Sequence, residues 1–286
     1  MRKSIIFYLF VFCCGIVFFT SCNKKEDSFS FTTGNVDPAS IESSGFQLYM
    51  PLENSTYTGM YSKGLGIDSI NIAATGGKFV SGARGYAFSA DTFKKAFIKV
   101  PLKSSAFVKK LKEFTLSFWV YVPDTSSKQI SSLFIADGGD NLFGSLSMTL
   151  DSVYLNGCVY NAAVDSTYKI STPKRNLKAN NWSHIVFTYD STASKISLYV
   201  DGKVSNETTC LTKAPTVAPM GPLTLSSAMS TIYLGAWIQQ IKGSATSKMA
   251  YFPGKIDEIR MWSKCLTQDE VSALSQAESV LAQIQL

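Results

Sequence analysis

Residues 180–204 read NNWSHIVFTYDSTASKISLYVDGKV. Ile185, Phe187 and Tyr189 alternate with His184, Val186 and Thr188, and Ile196, Leu198 and Val200 alternate with Ser197 and Tyr199. Period-two alternation in two runs, separated by the polar bend 190–194, marks two half-buried strands. Asp201-Gly202 then supplies the positive φ that a tight hairpin turn demands, so KVSNE returns beside ISLYV. The stretch predicts three antiparallel strands in a meander, with the chain's one histidine inside it.

The same alternation recurs outward. Phe46, Leu48, Met50 and Leu52 alternate with Gln47, Tyr49, Pro51 and Glu53. Phe114, Leu116, Phe118, Val120 and Val122 alternate with Thr115, Ser117, Trp119 and Tyr121. Repeated runs of this kind, separated by Gly, Asn, Asp and Ser clusters, predict an all-β chain. Only the tail reads as helix: Thr267 stands at the N-cap, Glu270 three residues on completes a capping box, and Leu266 is placed to staple Val271. Val271, Leu274, Ala277 and Leu281 continue one apolar stripe. A β-sandwich of about 230 residues with one short helix fits this length.

The N-terminus is not part of that fold. Arg2 and Lys3 precede an apolar run over 5–19, followed by Thr20, Ser21 and Cys22. Such a segment is a secretory signal, too short to span a bilayer comfortably. The small residues before Cys22 resemble a bacterial lipobox, with Phe19 where leucine is usual. That resemblance implies residues 1–21 as a lipoprotein signal peptide and Cys22 as the lipidated residue, which would anchor the chain to a membrane. Residues 22–44 are polar and aperiodic and read as a flexible tether; their Lys24-Lys25-Glu26-Asp27 looks like the charged export tags of surface lipoproteins. Removing the signal takes Arg2 and Lys3 from the 27 basic residues, leaving 25 against 21 acidic, or +4. The basic residues are scattered, which excludes a nucleic-acid stripe. Without Cys22, an odd count of three cysteines forbids a full disulfide framework. Cys158 and Cys210 can pair, while Cys265 reads as a small buried hydrophobe.

In FPGKIDEIRMW (252–262), Ile256 and Ile259 are three apart and face one core only if the strand bulges near Asp257-Glu258. An acidic residue at such a bulge either satisfies backbone N–H groups or binds a cation. FTLSFWVYVP (114–123), NNWSHIVFTYD (180–190), ISLYVDGK (196–203), IYLGA (232–236) and FPGKIDEIRMWSKCLTQDEV (252–271), in this order, resemble the strands of the laminin G-like domains of the concanavalin A-like lectin/glucanase superfamily. FQLYMPLE (46–53) and GARGYAFS (82–89) resemble its opening strands. The resemblance implies an all-β fold, a jelly-roll sandwich of two antiparallel sheets with a short C-terminal helix over 45–286, and binding on the concave face or at the loop rim. Two departures stand out: Cys265 replaces a small residue, and 211–230 is a long insertion.

Chemistry is sought residue by residue. Glucanases of that superfamily carry Glu-x-Asp-x-x-Glu on one strand, where alternation sets the carboxylates side by side. That spacing is absent: Glu113, Glu207, Glu258, Glu270 and Glu278 are isolated, and Asp257 and Glu258 point to opposite faces unless the bulge intervenes. One histidine leaves little for a His-based nucleophile or metal cluster; His184 reads as a hydrogen-bonded residue orienting a nearby turn. The chain is therefore read as non-enzymatic. For ligand binding, Trp237 in GAWIQQ is the first candidate aromatic, the alternative being that it packs under its loop. Tyr251 closes the same polar segment, and Tyr121 beside Trp119 can line a sheet face. Asp137, Asp140 and Asn141 in a glycine-rich loop, with Asp257, are candidate calcium ligands, or the loop is a solvated turn. The expected protein is an outer-membrane lipoprotein, surface-exposed or periplasm-facing, that binds a glycan or glycoprotein. A protein-binding adhesion or assembly module is the alternative, and a divergent hydrolase or lyase a more distant one.

Overall fold

A computed structural model describes residues 41, 44–54, 56–57, 59–62, 72–90, 94–102, 111–123, 129–138, 143–213 and 217–284. Its strands are β1 (Phe46–Met50), β2 (Tyr61–Ser62), β3 (Ala73–Thr75), β4 (Lys78–Ser81), β5 (Tyr86–Ser89), β6 (Phe97–Pro101), β7 (Phe114–Tyr121), β8 (Ile130–Ala136) and β9 (Leu146–Leu150). There follow β10 (Tyr154–Asn161), β11 (Ser166–Pro173), β12 (Trp182–Asp190), β13 (Lys195–Val200), β14 (Lys203–Thr209), β15 (Thr231–Leu234), β16 (Met249–Ala250) and β17 (Lys255–Trp262). Two α-helices, α1 (Ile238–Ile241) and α2 (Gln268–Ile284), and a 3-10 turn at Lys174–Asn176 complete the named elements.

The strands form two antiparallel sheets, a jelly-roll sandwich. Sheet A runs β14-β13-β12-β7-β17-β1-β2, with β5 on β17 and β4 on β5. Sheet B runs β11-β10-β9-β8-β15-β6-β3, and the short β16 joins β8 in parallel. Leu116, Phe118, Ile185, Phe187 and Leu198 of sheet A meet Phe134, Met148, Leu155, Val159 and Ile232 of sheet B in one buried cluster. Each such side chain stabilises the sandwich by about 1.5–3 kcal/mol. Gly157 lets the sheets close there: a Cβ on it would stand 3.0 Å from the Phe187 ring.

The meander read from 180–204 is β12-β13-β14. Asp201 and Gly202 both have positive φ, 48° and 77°, as a primed hairpin turn requires. The bulge near 257–258 is also present: register shifts between Asp257 and Arg260, Glu258 takes φ 52°, and Ile256 and Ile259 both enter the core. At α2 the Thr267 hydroxyl accepts from Glu270 N–H at 3.2 Å, and the Glu270 carboxylate accepts from Thr267 N–H at 2.8 Å. Leu266, Val271 and Leu274 pack with Val186, Tyr199 and Trp262 on the outer face of sheet A. The Leu281 side chain lies outside the described residues.

Two expectations need correction. Ile41, placed in the flexible tether, is fully buried beside Trp262, whose indole N–H donates to its carbonyl at 3.0 Å. Packing thus begins before residue 45. Cys158 and Cys210 are both free thiols, and Cys265 is only half-buried. Within the insertion 211–230, Met220, Leu223, Leu225 and Met229 join the core cluster.

Candidate functional site

The outer face of sheet A carries a buried polar layer. Cross-strand register sets His184 opposite Trp119, and Trp119 opposite Asp257. His184 is fully buried; its Nε2 lies 2.7 Å from Ser117 Oγ, and its ring lies on Trp119 at 5.2 Å. Burial, followed by the nearby Arg260 charge, pushes the imidazole pKa down to about 3. Its backbone holds the 201–202 turn: His184 N–H donates to Asp201 Oδ1 at 2.9 Å, and Asp201 N–H donates back to its carbonyl at 2.8 Å. The turn is held by the backbone of residue 184, while its imidazole is engaged by Ser117 and Trp119 on the outer face of the sheet.

The bulge brings both acids to one side, where they meet Arg84. Asp257 Oδ2 accepts from Ala83 and Arg84 N–H at 2.9 and 3.1 Å, and its Oδ1 accepts from Glu258 N–H at 2.9 Å. Glu258 receives Tyr49 OH at 2.9 Å and Arg260 at 2.8 Å, with the Arg84 guanidinium 4.0 Å away. Burial, then the Glu258 charge, pushes the Asp257 carboxyl up to about 9 against the pull of its three N–H donors. With both oxygens facing donors, Asp257 serves the bulge and the 82–85 turn, which corrects its placement in a cation set. Both carboxyls are sealed from solvent, so they form no accessible acid–base pair.

Trp237 is also corrected. It is 2% exposed, its Nε1–H donates to Ile130 O at 2.8 Å, and it packs with Ile135, Tyr233 and Ile238. Its indole holds α1 against sheet B rather than facing solvent. Tyr251 is half-buried, with its ring 6.4 Å from Phe97. Tyr121 is half-buried at the end of β7, opposite Trp182 and Lys255. Trp237 and Tyr251 share the neighbour Phe97 at sheet B, whereas Tyr121 belongs to sheet A. Asp137 is buried, with its N–H on Thr231 O at 2.8 Å, while Asp140 and Asn141 lie outside the described residues. Among the described residues no three His, Cys, Asp or Glu side chains cluster to hold a metal.

An open groove of about 630 Å³ lies where β8 ends and β10 turns into β11. Gly138, Tyr160, Ala162, Asp165, Thr167, Lys213, Ser226 and Ser227 line it. The β10–β11 hairpin supplies the aromatic ring: Tyr160 OH donates to Asp165 Oδ1 at 2.8 Å across a turn in which Asp165 takes φ 43°. That bond raises the tyrosine pKa, its largest cause. The insertion supplies the opposite wall and is stapled to the hairpin, with Ala162 N–H on Thr224 O at 2.7 Å and Thr224 N–H on Asn161 Oδ1 at 3.2 Å. Sequence reading missed these residues. The insertion, a departure from the family pattern, was the one signal pointing to them.

The family model of the concanavalin A-like lectin/glucanases superfamily, in its laminin G form, matches residues 95–272, and the chain belongs to this superfamily. A comparison with curated proteins gives no match. Among solved structures, the binding domain of botulinum neurotoxin serotype G is similar at 15% identity and TM-score 0.57, over 81% of this chain and 50% of that one. The ligand-binding domain of serotype D, solved with N-acetylneuraminic acid, gives 13% and 0.58, over 84% and 52%. The binding domain of Paraclostridial Mosquitocidal Protein 1 gives 15% and 0.54, over 82% and 52%. This chain spans about half the length of each, and at these identities the likeness is one of fold.

Proposed function

We propose that the protein binds glycans without cleaving them, at the groove between the β10–β11 hairpin and the insertion, as a lipoprotein anchored in the outer membrane through Cys22. The observation that carries this is the groove's lining: one tyrosine ring, three hydroxyls from Thr167, Ser226 and Ser227, one ammonium from Lys213 and one carboxylate from Asp165. Sugars are held by an aromatic face with a few convergent polar groups. Glycosidic cleavage needs two carboxyl groups roughly 5–10 Å apart, and the lining holds one. In this reading the attachment is the lipid on Cys22; among the described residues no helix is long and apolar enough to cross a membrane. Affinity electrophoresis against a polysaccharide panel tests the site. One glycan should retard the protein, Tyr160→Ala should abolish the retardation, and no reducing ends should appear. No retardation by any glycan would hand the fold to a protein-binding role. Membrane partitioning that survives Cys22→Ala would remove the anchor.

A further inference from the structure

Far from the groove, the open end of sheet A's outer face carries a second arrangement of aromatic rings and charge. Trp182 on β12 pairs with Tyr121 on β7, and Tyr121 pairs with Lys255 on β17. The three side chains therefore stand in one row on one face, a step outward from the buried His184, Trp119 and Asp257. The Tyr121 and Trp182 rings lie 5.8 Å apart at 68°, making an angular notch rather than a flat stack. Lys255 Nζ sits 4.7 Å from the Tyr121 centroid and 6.0 Å from that of Trp182. All three residues are half-buried.

The row is held in place from below and from the side. The buried Trp119–His184 pair supports it from the next row. Gly254 lets the start of β17 approach β7 so closely that a Cβ there would run into the Tyr121 carbonyl oxygen. Ala90 N–H, bonded to Gly254 O at 2.9 Å, fixes that approach. Among the described residues no carboxylate lies within ion-pairing distance of Lys255. A lysine resting on a ring keeps its outward N–H donors free for an anion.

We infer that the Trp182–Tyr121–Lys255 row is a second binding site, for an acidic sugar unit of the hexuronate type. The notch takes the apolar CH face of the pyranose ring, and Lys255 takes its carboxylate. An acidic peptide fits less well. β12, β7 and β17 are interior strands paired on both sides, so they offer no free edge to which an extended chain could add. One cation also matches one carboxylate rather than a run of them.

Titrating the full chain with a galacturonic acid tetrasaccharide, and with the neutral galactose tetrasaccharide, tests this by calorimetry and tryptophan emission. Trp119, Trp237 and Trp262 are buried, which leaves Trp182 as the reporter among the four tryptophans. The uronate should bind and change the emission, and the galactose should bind at least ten-fold more weakly. Lys255→Gln and Tyr121→Leu should each weaken uronate binding at least ten-fold with unfolding midpoints near the parent's. Trp182→Phe should abolish the emission response while heat of binding is still measured. Equal affinity for both tetrasaccharides, or unchanged binding in Lys255→Gln, overturns the inference. Binding lost in Lys213→Gln but not in Lys255→Gln moves the uronate to the groove, overturning this site while sparing the groove reading. A polyglutamate peptide that competes at equal affinity overturns the sugar assignment.

Discussion

His184 offers a stability measurement that one side chain dominates. An unfolded histidine titrates near 6.5, whereas burial holds the folded imidazole down to about 3. Below about pH 6.5 the unfolded chain gains a proton that the folded chain refuses. Stability from this group is therefore full above 6.5 and falls as the pH falls toward 3. Worked from those two values, the loss between pH 7 and pH 5 is about 2 kcal/mol, and the whole gap is worth about 5 kcal/mol. Against a typical total of roughly 5–15 kcal/mol, that is large. Asp257 acts the other way in the same window. Burial, then the Glu258 charge, raises its carboxyl pKa, so its contribution falls as the pH rises. The observable is therefore a difference: urea unfolding of the parent and of His184→Gln at pH 7 and pH 5. The Asp257 contribution is common to both chains and cancels. Glutamine stays neutral and can still meet Ser117, so the parent should lose about 2 kcal/mol more than the variant on acidification. Equal losses refute the reasoning. So does an imidazole resonance titrating near 6.5, which is easily assigned in a chain with one histidine.

Trp237→Ala removes a buried indole and its bond to Ile130; it should cost about 3–5 kcal/mol and lower the calorimetric Tm by on the order of 10 °C. Glycan affinity per folded molecule should not change, and a loss of affinity without a loss of stability would return Trp237 to the binding surface. Gly202→Val forces a β-branched residue into φ 77°, with its Cβ 3.0 Å from Ser275 and 3.3 Å from the α2 backbone at Ser272. Strain alone should cost about 1–3 kcal/mol, read as a lower urea midpoint, and an unchanged midpoint would mean that the turn adopts another form.

What sequence could show follows from what is local. The 201–202 turn, the Thr267–Glu270 capping box and the bulge forced by Ile256 and Ile259 each lie within a few residues, and each is present. Trp237 failed because its environment is remote: its indole partner is Ile130, 107 positions away. The groove failed for the same reason, since its walls come from the end of β8, the β10–β11 hairpin and the insertion. The Trp182–Tyr121–Lys255 row depends on the register of three strands that are not consecutive in the chain. Alternation says which face a residue takes but not which residue of another strand lies opposite.

The distribution of charge links the two sites. The acids that looked most chemical, Asp257 and Glu258, are turned inward and occupied by N–H donors, Tyr49 and Arg260. At the groove, Asp165 accepts its bond from Tyr160. Lys255, beside the Tyr121 and Trp182 rings, and Lys213, in the groove lining, by contrast have no carboxylate within ion-pairing distance among the described residues. A surface whose carboxyls are engaged internally while its ammoniums remain open favours anionic ligands through both attraction and lower desolvation cost. The inward carboxyls have a second consequence. Because Asp257 fixes the 82–85 turn and Glu258 holds Arg260 and Tyr49, losing either would loosen the layer beneath the Trp182–Tyr121–Lys255 row. The acids that might have cleaved a glycan instead hold rigid the face proposed to bind one.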